Sequence, residues 1–226
     1  MPLLGSAAML LSFDVAAEAV DEHDRWHTHE HLPERLSIPG FLRGTRCVAT
    51  EGSPRYLVVY EVRDLQVLSS EAYLARLNDP TPWTRRMMPF YRGMSRGLCA
   101  VLGSFGLGLG GTASLIRFSA DEPHAEHLRR WLLDDLLPGI PVAPGLGSAH
   151  LLQGAAAAAM TNEQRIRGAD RGVDTAILIT GYDPDAVSGS ARQLGDTLRA
   201  KAPPSLGVTS ATYATSYTLA RTEIDA

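Results

Sequence analysis

Short runs in which apolar residues alternate with polar or small ones set the plan of the chain. MLLSFDV at 9–15 and SLIRFSA at 114–120 show the period-2 alternation of strands with one covered face. RYLVVYEV at 55–62 and DTAILITGY at 174–182 are denser in β-branched and aromatic residues and predict central strands. Gly97–Leu102 and Ala211–Leu219 predict closing strands, and Leu65–Leu77 and Ala186–Ala200 predict helices before them. The predicted order is β-α-β-β-α-β, twice.

The two sets of elements are related by a fixed offset. Trp26, Leu32, Pro33, Pro39, Gly40 and Phe41 correspond to Trp131, Leu137, Pro138, Pro144, Gly145 and Leu146, each pair 105 residues apart without a gap. The same offset carries Leu11 and Phe13 onto Ile116 and Phe118. Further on, the second copy gains roughly 15 residues between its middle strands, in the Ala155–Arg171 region, read as a surface excursion or a short helix. GSFGLGLGG at 103–111 reads as the linker between copies, not as a dinucleotide fingerprint, because no strand and helix frame it.

A β-α-β-β-α-β unit makes a sheet with helices on one face and an apolar face left bare. Two units in one chain can cover each other. The expected fold is therefore α+β: a first ferredoxin-like repeat over 7–104 and a second, degenerate one over 111–222, their antiparallel sheets packed into one barrel with the helices outside.

Composition narrows the functional classes. With 45% hydrophobic and 20% charged residues and a formal net charge of −4, the chain has an ordinary globular balance and no broad basic surface. Nucleic acid is not an expected partner, and a small-molecule ligand is. Cys47 and Cys99 lack metal or redox spacing and read as buried thiols. Met1–Leu11 has no basic flank and is too short to span a bilayer, so no membrane association and a cytoplasmic location are expected.

Candidate chemistry comes from comparing the copies. In the second, Leu128, Trp131, Leu132 and Leu136 fall at i, i+3, i+4 and i+8, one buried helix face. The first copy has His23, Trp26, His27 and His31 there. Imidazoles at leucine positions need partners, so these replacements predict a polar or ligand-filled cavity beneath the helix. His31 and His27 are the expected catalytic residues, as proton donors or acceptors. His23, near the helix start, and His29, on the opposite face, read as solvated. Tyr56, Val58 and Tyr60 share one face of their strand, and periodicity leaves open whether it faces the helices. Tyr60 and Trp26, with Trp83 and Tyr91 from the aromatic and basic segment after the second helix, are the expected ligand-binding residues. Arg96 is placed to orient a carboxylate or to pair with Asp14. His27 and His31 have the i, i+4 spacing of a metal pair, but the helix supplies no third ligand, so neither a metal nor a cofactor is expected.

The stretch DEHDRWHTHEHLPERLSIPGFLRGTR resembles the dimeric α+β barrel superfamily, especially its EthD-like branch, in which W-x3-EH-x-P followed by PGF is typical. Here those positions are Trp26, Glu30, His31, Pro33, Pro39, Gly40 and Phe41, and PWTRRMMPFYRGMSRG from Pro82 to Gly97 resembles the same branch. The resemblance covers the first copy well and the second through its skeleton. It implies the barrel fold and a range of activities, from cofactor-free oxygenases and lactone isomerases to haem-handling enzymes. A cofactor-free oxygenase, isomerase or lyase acting on a small apolar or aromatic intermediate is the expected activity, and a non-catalytic binding barrel or a haem or metal protein the alternative. Because a fused pair already covers the sheet faces, a monomer and a homodimer are both expected states.

Overall fold

A computed structural model describes residues 3–119, 124–155, 160–201 and 207–224. The strands are β1 (Ala7–Val15), β2 (Phe41–Glu51), β3 (Tyr56–Val62), β4 (Tyr91–Gly106), β5 (Thr112–Phe118), β6 (Leu146–Gly154), β7 (Arg171–Gly172), β8 (Thr175–Gly181) and β9 (Thr209–Ala220). The helices are α1 (Val20–Trp26), α2 (Leu32–Leu36), α3 (Glu71–Asn78), α4 (Pro82–Met87), α5 (His124–Arg130), α6 (Asn162–Arg167) and α7 (Pro184–Lys201).

Eight strands close into an antiparallel barrel in the order β1-β3-β2-β9-β5-β8-β6-β4, with β4 returning to β1. Within each half the order is last strand, first, third, second: β4-β1-β3-β2 and β9-β5-β8-β6. The halves join along β2–β9 and β4–β6, so each gives its second strand to the other's last. Closure leaves no edge to cover. Two-residue β7 pairs in parallel with Ser95 and Arg96 of β4.

The two faces of β3 go to different cores, which settles the question that periodicity left open. Tyr56, Val58, Tyr60 and Val62 pack under the helices, and Leu57 and Val59 point into the barrel. Burial on both faces is why β3 and β8 read as nearly continuous apolar runs. The interior also holds Cys47 and Cys99, both free, whose thiols burial pushes up to about 11 and about 12. They are inert at neutral pH.

The Pro-Gly pair of each half turns the chain from the first helical segment into its strand. Gly40 and Gly145 have φ of 94° and 85°, backbone that side-chain-bearing residues rarely adopt. Gly44 lets α2 lie close on β2: a Cβ there would fall 2.3 Å from a Leu32 methyl.

Local differences from the expected elements have physical causes. β4 runs through Gly106 because its second part pairs with β6, so only Leu107–Gly111 connects the halves. The helix expected over Leu65–Leu77 is broken at Ser70, whose side chain caps α3 by accepting from the Tyr73 N–H. In the 155–171 region, 156–159 lie outside the described residues. The following α6 is not a surface excursion: Thr161 and Glu163 are buried against the first half.

Candidate functional site

The helical segment between β1 and β2 is continuous, but its middle, His27–His31, is a widened π-type turn between α1 and α2. Pro33 explains it: the ring lacks an N–H and would clash with the carbonyl four residues back, so the turn before it opens. Trp131–Leu136, before Pro138, is widened in the same way. The widening therefore belongs to the fold, and the histidines are what distinguishes the first half.

His23, His27 and His31 are all buried, while His29 is exposed. Their rings form a column, with centroids 5.5 Å apart from His23 to His27 and 5.6 Å from His27 to His31. The His31 ring lies 4.4 Å from that of Trp26. His23, expected to be solvated, is enclosed because Tyr91 and Tyr56 close over the helix start. Its Nδ1 lies 3.1 Å from Asp24 Oδ1 and its Nε2 3.3 Å from the Tyr91 hydroxyl. Tyr56 donates to the same Asp24 oxygen at 2.9 Å.

His27 and His31 differ from His23 in lacking such partners. The Nδ1 atoms of both are buried with no hydrogen-bond partner among the described residues, as is the Tyr60 hydroxyl. The nearest acid to His31 is Glu34, whose Oε2 lies 3.8 Å from Nδ1, too long for a hydrogen bond. Burial, reinforced by neighbouring positive charge, holds both imidazoles well below the ordinary value of 6.5, so they are neutral at pH 7. Burial pushes the Tyr60 phenol up, keeping it a proton donor.

His31 and Tyr60 meet at a cavity of about 310 Å³, part of it open to solvent. Met9, Leu11 and Leu77 form its apolar wall, and Arg35, Tyr73 and Arg96 add polar groups. Arg96 donates to the Tyr73 hydroxyl at 3.1 Å instead of reaching Asp14. Glu163 and Arg167 of α6 complete the lining from the second half. Arg35 and Glu163 are each 2% exposed and joined by a hydrogen-bonded ion pair. Burial opposes the charge on Arg35, but Glu163 outweighs it and holds the guanidinium protonated.

The other expected site residues lie around this cavity, not on it. His27 sits behind His31 in the column. Trp26 is fully buried and donates to Glu30 Oε1 at 3.1 Å. That oxygen also accepts from Thr81 at 2.5 Å, so Glu30 ties the π-type turn to the start of α4. Tyr91 is held against His23. Trp83 is on the outer surface, donating to Glu22 at 3.1 Å. Sequence reasoning missed Arg35, although it is four residues after His31, the spacing that puts two side chains on one helix face. It also missed Glu163, which no local pattern links to a helix 128 residues earlier.

At the equivalent place in the second half, Leu128 and Leu132 are buried and Leu136 is only half-buried. Leu132→Ala is therefore expected to cost about 2–5 kcal/mol, read from chemical denaturation. Among the described residues no group of three or more His, Cys, Asp and Glu side chains is placed to hold a metal ion, and no helix is long and apolar enough to cross a membrane.

No family model and no curated protein matches the chain. Solved structures do. An anthrone oxidase-like protein superposes with a TM-score of 0.64 at 12% identity, over 98% of this chain and 96% of its own. A monooxygenase-like protein of Fusobacterium nucleatum gives 0.61 at 8% identity, over 96% of each chain. A mutant chlorite dismutase of Candidatus Nitrospira defluvii, in complex with cyanide, gives 0.53 at 13% identity, over 96% of this chain and 92% of its own. The fold is a ferredoxin-type α+β barrel. At these identities the likeness carries fold and leaves chemistry to the site.

Proposed function

We propose that the cavity beneath α1 and α2 is the active site of a small-molecule oxygenase-type or isomerase-type enzyme that works without a cofactor, with His31 as its proton-transfer group. The carrying observation is the pair of buried, unpartnered polar atoms, His31 Nδ1 and Tyr60 Oη, on side chains that line one cavity. Leaving such groups unpaired costs stability, and a ligand's polar atoms would remove that cost. The names of the oxygenase-like neighbours support the reaction class.

A neutral imidazole in this setting accepts a proton from a phenol or from a carbon next to a carbonyl. Glu34, 3.8 Å from Nδ1, is near enough to stabilise the resulting imidazolium. The Tyr60 hydroxyl donates to the oxygen on which negative charge develops. The anion so formed reprotonates elsewhere in an isomerisation, or supplies the electrons that reduce dioxygen in an oxygenation. His27 orients His31 from behind.

In this reading the chain is a fused tandem pair, repeats 7–104 and 111–222, related to the EthD-like branch through the first. Fusion supplies the covering sheet face, leaving a monomer and a homodimer equally compatible. A second reading, a binding barrel without turnover, is favoured by one observation: Glu163 already pairs with Arg35 inside the cavity.

The test is oxygen uptake and product mass with a panel of anthrone-type phenols, together with proton–deuterium exchange into enolisable ketones. Turnover is expected in the wild type and to fall about 100-fold or more in His31→Ala. Unchanged turnover in His31→Ala, or none in the wild type across both panels, rejects the enzymatic reading.

A further inference from the structure

The side chains of α6 that enter the cavity bring charge and almost no apolar surface. Its contacts with the first half are the Arg35–Glu163 ion pair and hydrogen bonds between Asn162 and Asn78, at 3.2 Å to the Asn162 N–H and 2.6 Å from Asn162 Nδ2. The large apolar residues of this region face solvent, with Met160 48% and Ile166 40% exposed. Burial of apolar surface normally holds an element in place, and here it is missing. Arg167 turns back on its own segment, donating to Asp170 at 3.1 and 2.8 Å. Residues 161–170 thus carry Glu163, Arg167 and Asp170 as one body with an excess negative charge.

What would remain without that body is an unfilled binding site. Arg35 stays at the base of the cavity, fully desolvated, and Arg96 at its side has only the neutral Tyr73 hydroxyl as a printed partner. Glu34, 3.4 Å from Arg35, is pushed upward by burial and offsets the charge only in part. An arginine fork with apolar and aromatic walls fits one chemistry, a planar carboxylate on a small apolar body.

We propose that the Glu163 carboxylate is a stand-in for the ligand's own, that the cavity binds small aromatic carboxylates at Arg35, and that α6 is displaced when they enter. This rests on the reading of the cavity as the functional site and names its substrate class. A substrate carboxylate on Arg35 would fix the ring beside His31 and Tyr60. Binding requires exchange of one carboxylate for another at the same guanidinium, so the internal occupant competes with every ligand of this class.

Equilibrium titration with benzoate and its uncharged isostere benzamide tests the proposal without requiring turnover. Benzoate is expected to bind the wild type at least tenfold more tightly than benzamide, and saturating benzoate to speed amide hydrogen exchange in 161–167 while β1 and β3 stay protected. Glu163→Gln removes the competitor and is expected to tighten benzoate at least tenfold with little change for benzamide. Should Glu163→Gln not fold, the double variant Arg35→Gln/Glu163→Gln, which buries no unpaired charge, is expected to lose the preference for benzoate. Equal affinities for the two probes in the wild type, or exchange in 161–167 slowed by benzoate, overturns the proposal. Carboxylate preference that survives in His31→Ala, together with no turnover on any substrate, would leave this site standing and remove only the catalytic reading.

Discussion

His27→Leu and His31→Leu are each expected to raise the stability of the protein by about 1–3 kcal/mol, and only the second to abolish turnover. The unpaired Nδ1 of each imidazole loses its water on folding and gains no partner, a cost of that order. Leucine removes the cost and keeps the volume, and the second half shows that leucine is accommodated: Leu132, the counterpart of His27, is 1% exposed in its own core. Thermal and urea unfolding of both variants checks the stability side, and the oxygen-uptake assay the functional side. A fall in stability at both sites would mean that the imidazoles are satisfied in the folded protein. A stabilised His31→Leu with full turnover would place the chemistry elsewhere.

Acidification from pH 7 to 5 is expected to destabilise the protein by several kcal/mol. Burial lowers His23, His27 and His31 below 6.5, and His150, desolvated in the barrel and close to Arg43, to about 4. Between the lowered folded values and 6.5 the unfolded chain binds more protons than the folded one, so stability falls as pH falls through that window. Each such imidazole contributes roughly 1 to 1.5 kcal/mol per pH unit, against a total stability on the order of 5–15 kcal/mol. Asp24, lowered by His23 and Arg46 against the cost of burial, acts only below 3.8 and does not enter this window. Urea midpoints at pH 7, 6 and 5 measure the slope, and a His27→Leu/His31→Leu double variant is expected to remove about half of it. A flat profile in the wild type would show that the column takes up protons when folded.

The residues of α1 show how much of the site was legible along the chain. Helical spacing and the leucine-bearing counterpart point to His27 and His31 as buried because the face a helix buries depends on local periodicity, which the two halves share. The same reasoning misplaced His23. A helix start is solvated unless something packs on it, and Tyr91, which does so here, arrives 68 residues later. Trp83 was misjudged for the converse reason: an aromatic residue near the rim carries no local sign of which side of the rim it occupies.

Alternation and the 105-residue offset were enough to determine the order of strands and helices, two sheets with one bare face each, and the helix face that carries the histidines. Each of these depends on neighbours a few residues apart or on direct comparison of like with like. The pairing of β2 with β9 and β4 with β6, the choice of which face of β3 looks at the helices, and the entry of Glu163 onto Arg35 were decided only by the closed barrel. Closure brings distant segments together through side chains whose charge has no periodic signature. An acidic residue in an insertion reads as surface until the fold places a buried arginine beside it.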